Sequence, residues 1–130
     1  MKVVLDDNTA KDVGSTNELD AILDAAAARA RSEGRRIIAQ LTHDNGCILA
    51  IGLGGEESVL CFFEDGDGPS YTSVGRYERD GEPTIFEFAG DVSEIFPAMM
   101  ITNEASRNAA RHFFATGERA PSVRWDKDWA

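Results

Sequence analysis

The first stretch of the chain with a helical pattern of apolar residues follows Ser15. Ser15 stands three residues before Glu18, which is the spacing of a capping box at a helix start. Apolar residues then recur every three or four positions: Leu19, Ile22, Leu23, Ala26 and Ala30. Gly34 comes directly after this pattern, where a helix commonly ends. The pattern predicts an amphipathic helix near Glu18–Ser32.

A second helical pattern lies near the C-terminus. Thr102 is suited to cap it, and Gly117 with Pro121 beyond it would end it. Three residues share its apolar face: Ala105, Ala109 and Phe113. We expect a helix near Asn103–Ala115.

The rest of the patterned chain favours short strands separated by turns. Predicted strands cover Lys2–Leu5, Arg36–Leu41, Cys47–Leu53, Val59–Phe63, Tyr71–Val74, Thr84–Phe88 and Ser122–Trp125. Val59–Phe63 is apolar on both faces and predicts a central strand, covered on both sides. The sequence therefore predicts an α+β fold: a single domain over residues 1–130, with a mostly antiparallel sheet and two helices packed on one face.

Charge narrows the choice of partners. The chain carries a formal net charge of −10, which argues against direct nucleic-acid binding and against an anionic membrane surface. It suits a basic protein partner, although acidity that only serves solubility remains an alternative. No apolar run approaches the roughly 20 residues of a membrane span, and the early acidic residues are unlike a signal peptide. We expect a cytoplasmic protein.

Catalytic and metal-binding patterns find little support. His43 and His112 lie outside any zinc-ligand spacing. The glycines of Gly52–Gly55 favour a turn over a phosphate loop, and Glu64–Gly68 lacks the continuation of a calcium loop. Two cysteines, Cys47 and Cys61, are expected to be buried thiols without a disulfide. We expect no enzyme activity, no metal and no cofactor.

Two acidic turns bracket the apolar strand and are the candidate contacts for a partner. One carries Glu56 and Glu57, and the other carries Glu64, Asp65 and Asp67. About 20 Å of strand would separate them, so they should not form one patch.

Of the two turns, the aspartate turn is the preferred contact, together with Tyr71, because its glycines and proline hold the carboxylates in place. Trp129 is a further candidate contact, whereas Trp125 is expected in the core. The alternative is that Asp65 and Asp67 only stabilise their own turn.

Several segments together resemble a known family. They are Gly52-x-Gly-Gly-x-x-Ser-Val-Leu60, Asp65-Gly-Asp-Gly-Pro69, Ser73-Val-Gly75, Phe96-Pro97, Phe113-Phe114, Thr116-Gly117, Pro121, Val123 and Trp125. In order and spacing, over Leu49 to Trp125, they resemble the first-numbered immunity-protein family of bacterial polymorphic toxin systems.

The resemblance implies a small α+β inhibitor that binds a cognate toxin encoded beside it. Toxins paired with this family are often nucleic-acid deaminases, which use a zinc-activated water in a basic substrate cleft. An acidic inhibitor could cover such a cleft. The alternatives are a small-molecule-binding or regulatory α+β domain without catalysis, and an uncharacterised enzyme.

Overall fold

The computed structural model describes residues 1–65 and 68–127, and both predicted helices are present. Helix α1 spans Thr16–Ser32 and helix α2 spans Asn103–Thr116. The Ser15 hydroxyl accepts a hydrogen bond of 3.1 Å from the Glu18 amide, as in a capping box. Helix α2 ends at Gly117, whose φ of 72° is the left-handed conformation that favours glycine.

Eleven strands are found among the described residues. They are β1 (Lys2–Val4), β2 (Ala10–Asp12), β3 (Ile37–Thr42), β4 (Ile48–Leu53), β5 (Glu57–Ser58), β6 (Leu60–Phe63), β7 (Ser70–Val74), β8 (Thr84–Phe88), β9 (Asp91–Ile95), β10 (Ile101–Thr102) and β11 (Arg124–Lys127). Seven form the path β11-β7-β6-β4-β3-β1-β2, β8 and β9 extend the same sheet from β3, and β10 pairs with β5. Among the described strands, every pairing is antiparallel except that of β8 with β3. The predicted α+β fold with two helices is confirmed.

The predicted strand Val59–Phe63 begins one residue later than expected. Leu60–Phe63 form β6, and Val59 lies in the one-residue gap between β5 and β6. The buried Ser58 hydroxyl donates to the Gly52 carbonyl at 2.7 Å, while the Gly52 amide donates to the Val59 carbonyl. Strand β6 is an interior strand of the sheet, but Phe63 at its end is 41% exposed, so burial of the whole segment was a wrong expectation.

Four strands and a helical turn escaped the sequence analysis: the two-residue strands β5 and β10, the longer strands β2 and β9, and a 3₁₀ turn. Strand β2 has three exposed residues and no apolar alternation. Strand β9 has four exposed residues followed by the buried Ile95. A 3₁₀ turn at Pro97–Met99 comes before β10. Pro97 is the first residue of this turn, a position that suits proline.

The sheet has an apolar cluster on each face. On one face the helices α1 and α2 pack against the sheet, and Leu23, Phe113 and Ile51 are each at most 1% exposed. This confirms that both helices share a face. On the other face the fully buried Phe86 packs with Ile95 and the 3₁₀ turn.

Gly52 belongs to this second face. A Cβ at Gly52 would lie 2.7 Å from a ring carbon of Phe86, so the ring rests directly on the glycine backbone. This close approach gives Gly52 a packing role, which agrees with a turn rather than a phosphate loop. No described helix combines the length and the apolar character that a membrane crossing requires.

Candidate functional site

An open groove of about 670 Å³ lies where the β3–β4 turn meets the segment after α2. Its lining includes the carboxylates of Glu64, Asp65 and Glu118 together with the aromatic rings of Phe62 and Trp125. We call it the acidic groove. Its residues come from three separated parts of the chain, which the sheet and the end of α2 bring together.

Aromatic contacts build the floor of the acidic groove. The Phe62 ring meets Trp125 at 6.4 Å, Tyr71 at 6.2 Å and Phe113 at 6.0 Å between centroids. The Trp125 indole N–H donates to the Ala120 carbonyl at 3.0 Å, which satisfies its polar atom within the half-buried site. The floor is thus continuous with the helix-side core, and the expectation that Trp125 packs there is confirmed.

A cation already covers part of this floor. The guanidinium carbon of Arg119 lies 3.6 Å from the centroid of the Tyr71 ring, a close cation–π contact. Tyr71 is therefore half-buried beneath Arg119.

The rim of the acidic groove is tied to the β3–β4 turn. The Asn45 side chain donates to the Gly117 carbonyl at 3.3 Å and accepts from the Cys47 amide at 2.9 Å. Gly46 has a φ of 92°, and a Cβ there would lie 2.6 Å from the Asp65 carboxyl carbon. The Asp65 carboxylate is thus exposed to solvent yet held against the backbone of this turn.

The second acidic turn lines a different groove, of about 640 Å³. There Glu56 and Glu57 share the lining with three cations, Arg31, Arg35 and Arg36. We call it the arginine groove. The cations outnumber the carboxylates, so this end of the sheet is not a purely anionic surface.

Arginine also pairs directly with one of the two glutamates. Arg79 donates to both oxygens of Glu57, at 3.0 and 3.1 Å. Glu56 is exposed, and no ion pair joins it to a cation in the described part of the chain. Of this turn, only Glu56 thus presents an uncompensated charge.

The structure therefore separates the predicted contact residues into two grooves with no lining residue in common. Glu64 and Asp65 lie in one, with Tyr71 contacting its Phe62 and Arg119, and Glu56 and Glu57 lie in the other. Asp67 and Trp129 lie outside the described residues.

One exposed surface was missed by the sequence analysis. The hairpin of β8 and β9 and the residue after it expose Ile85, Val92 and Phe96. The pattern of β9 hides this surface, because Asp91–Ile95 does not alternate apolar and polar residues. The Ala-Gly pair between the strands was the available signal for a hairpin.

His43 and the two cysteines make contacts within the fold. The His43 ring packs edge-on against Phe113 at 5.7 Å, and its Nδ1 accepts from the Asn45 amide. Cys47 and Cys61 are free thiols, and both are half-buried rather than buried. Burial raises the pKa of the Cys61 thiol, which keeps it protonated and unreactive at neutral pH. In residues 1–65 and 68–127 no three His, Cys, Asp or Glu side chains are grouped to hold a metal ion.

Comparison with known proteins identifies the family. No curated protein sequence matches the chain. Residues 8–127 match the family described as Immunity protein Imm1, so the match includes the acidic groove, the arginine groove and the β8–β9 hairpin. The chain belongs to the Immunity protein Imm1 family, and it is an immunity protein.

Proposed function

We propose that this immunity protein binds a cognate nucleic-acid deaminase toxin and inhibits it by covering its basic substrate cleft. It acts by binding alone, without catalysis or a cofactor, in the cytoplasm of the cell that makes the toxin. The bound carboxylates take the place that substrate phosphates would occupy in the cleft.

This proposal rests on the distribution of acidic and basic side chains in the protein. Among the described residues, six arginines are paired with carboxylates: Arg29, Arg35, Arg76, Arg79, Arg107 and Arg111. Each of these pairs also occupies a carboxylate, but the sequence has 23 Asp and Glu residues against 13 Lys and Arg residues, so carboxylates remain in excess. The surplus carboxylates give the surface a negative field, which attracts a basic partner and speeds encounter.

The acidic groove suits such a partner better than the arginine groove does. Glu64, Asp65 and Glu118 form no ion pair with a described cation, and the one cation in the groove, Arg119, is stacked on Tyr71. In the arginine groove, a basic toxin surface would meet Arg31 and Arg36 and a glutamate already bound to Arg79. Like charges in contact disfavour a complex by several kcal/mol. We therefore propose that Asp65 and Glu64, with Asp67 and Tyr71, contact the toxin.

The acidic groove also offers a small apolar area besides its charge. The half-buried Trp125 offers apolar area beside the carboxylates, and aromatic residues are frequent contacts in interfaces. The Asp65 carboxylate lies against Gly46, and this close contact limits the positions that the side chain can take before it binds.

The test uses the toxin domain encoded beside this chain. One equivalent of the immunity protein should abolish deamination of a single-stranded substrate, and light scattering should give a one-to-one complex. The variant Glu64→Lys with Asp65→Lys should weaken inhibition, whereas Asp7→Lys with Asp12→Lys, which makes the same charge change at exposed sites elsewhere, should weaken it far less. A toxin that stays fully active in a saturated complex, or that has no deaminase activity, contradicts the proposal.

A further inference from the structure

The β8–β9 hairpin presents apolar side chains outward from the sheet. In its register Ile85 is opposite Glu94, and Glu87 is opposite Val92. Side chains alternate along a strand, and the neighbouring Phe86 is fully buried against the sheet. Ile85 and Val92 therefore lie on the outer face, which we call the hairpin face, and they are 41% and 66% exposed.

The hairpin face concentrates the exposed apolar residues of the described chain. Five large hydrophobic residues are exposed in that part of the molecule, and Ile85, Val92 and Phe96 of this segment are three of them. Phe96 directly follows β9 and is 44% exposed. Single exposed apolar residues need no explanation, but a group on one element is typical of a contact surface.

Contacts with the rest of the protein fix the hairpin in place, although the hairpin face is exposed to solvent. Its two-residue turn has positive φ at both positions, 50° at Ala89 and 86° at Gly90, as in the tight turns that favour hairpins. The Ala89 amide donates to the Asp6 carbonyl at 2.7 Å, and Arg35 donates to the Glu87 carboxylate at 3.3 Å. A surface fixed in this way loses little conformational freedom when a partner binds.

Carboxylates lie on the hairpin face and next to it in the chain: Glu94 and Glu87 are opposite Ile85 and Val92, and Glu87 is paired with Arg35. Asp80, Glu82, Asp91 and Glu94 are all exposed, and none forms an ion pair with a cation in the described ranges. A partner surface with apolar side chains ringed by lysine or arginine complements this arrangement. A second copy of the chain would bring the same carboxylates together, which opposes self-association.

We infer that the hairpin face is the apolar centre of the toxin contact, and that it takes a toxin surface whose apolar residues are surrounded by basic ones. The inference rests on the proposed function. It divides the work between two surfaces: carboxylates that include those of the acidic groove accelerate encounter, and Ile85, Val92 and Phe96 determine how long the complex lasts.

The test measures the dissociation rate of the toxin complex. The double variant Ile85→Ser with Val92→Ser removes apolar groups without changing charge. We expect its dissociation rate to rise about tenfold or more while the association rate stays within about twofold. Tyr77→Ser is the matched control, because Tyr77 is 55% exposed outside the hairpin and lies near Arg124, and it should dissociate like the wild type.

Each outcome decides the inference. Circular dichroism checks that the variants fold, and Val92→Ser alone decides if the double variant does not. Dissociation within twofold of the wild type overturns the inference and leaves the proposed function intact. A wild-type dimer that Val92→Ser converts to a monomer overturns it in favour of self-association. If the wild type does not bind the toxin at all, the proposed function and this inference both fail.

Discussion

Arg79 holds Glu57 through two parallel hydrogen bonds of 3.0 and 3.1 Å. This pairing makes the two acidic turns of the immunity protein unequal. Glu57 is compensated within its own chain, whereas Asp65 forms no ion pair with any described cation. Two turns that are similarly acidic in sequence therefore present different charge to a partner.

The first prediction compares the two turns. Asp65→Asn with Asp67→Asn should weaken toxin binding by tenfold or more, about 1.4 kcal/mol, because the uncompensated charge of Asp65 and the charge of Asp67 near it in the chain are both lost. Glu56→Gln with Glu57→Gln should weaken it less, because Glu57 already contributes its charge to Arg79. Isothermal titration calorimetry at low ionic strength measures both.

Thermal unfolding serves as the control for this comparison. If the aspartate pair leaves both stability and toxin affinity unchanged while the glutamate pair weakens binding by a kcal/mol or more, the contact is at the other turn. If the aspartate pair lowers stability but not affinity, these residues only stabilise their turn.

The second prediction concerns ionic strength. Stopped-flow association with the toxin should slow by roughly tenfold between low and high salt, because salt screens the attraction between exposed charges. The dissociation rate should change much less, because a desolvated apolar centre is not screened. Association rates that stay constant across this range would rule out electrostatic steering.

The third prediction links Gly46 to Asp65. Gly46→Ala should destabilise the fold by about 2 kcal/mol and also lower toxin affinity, because the new methyl group strains a positive φ and displaces the Asp65 carboxylate. Gly34→Ala is the matched control, since Gly34 has a φ of 67° with no atom within 4 Å of a new Cβ. Gly34→Ala should lower the free energy of unfolding by about 1 kcal/mol, the cost of the positive φ alone, and should leave toxin affinity unchanged. Equal affinities for the two variants would refute the link.

The fourth prediction concerns acid stability and Asp6. Burial would raise the pKa of this carboxyl, but the hydrogen bonds from Arg29 and Arg35, of 2.6 and 2.8 Å, outweigh it and hold the pKa below its ordinary value. A group whose pKa is lowered by folding stabilises the protein above its unfolded pKa of about 3.9 and loses that contribution as the pH falls further.

Asp6→Asn should therefore destabilise the protein by about 2 kcal/mol at pH 7, a moderate value because both arginines are partly solvated. The difference from the wild type should shrink as the pH falls below about 4. Denaturant unfolding at several pH values measures it, with Asp12→Asn as the exposed control. A difference that does not depend on pH would contradict this account of Asp6.

The sequence predicts the elements whose local signals agree with their packing. The capping box of Ser15 and Glu18 predicts the start of helix α1. Helix α2 ends, as expected, at a glycine in the left-handed conformation. Strand β9 leaves only one local signal, the Ala-Gly pair before it, because most of its residues are exposed and its partner β8 alone determines its register. The break at Val59 also depends on a distant atom, the Gly52 carbonyl that Ser58 binds.

The sequence predicts which residues form the two acidic turns, but not which other residues lie beside them in the folded chain. Acidic turns are visible in the sequence, and their place at opposite ends of one strand follows from strand length. The Arg79–Glu57 pair spans 22 positions, and the Arg119 contact with Tyr71 joins β7 to the segment after α2. Neither leaves a local pattern, so the unequal charge of the two grooves emerges only in the folded chain.

The central claim is that this protein covers the substrate cleft of its toxin. The most direct measurement is the binding of a labelled single-stranded oligonucleotide to a catalytically inactive toxin, followed by fluorescence anisotropy as the immunity protein is added. We expect the oligonucleotide to be released completely at one equivalent, and the variant Glu64→Lys with Asp65→Lys to require more protein for the same release. An oligonucleotide that stays bound in a ternary complex with saturating immunity protein would contradict the claim.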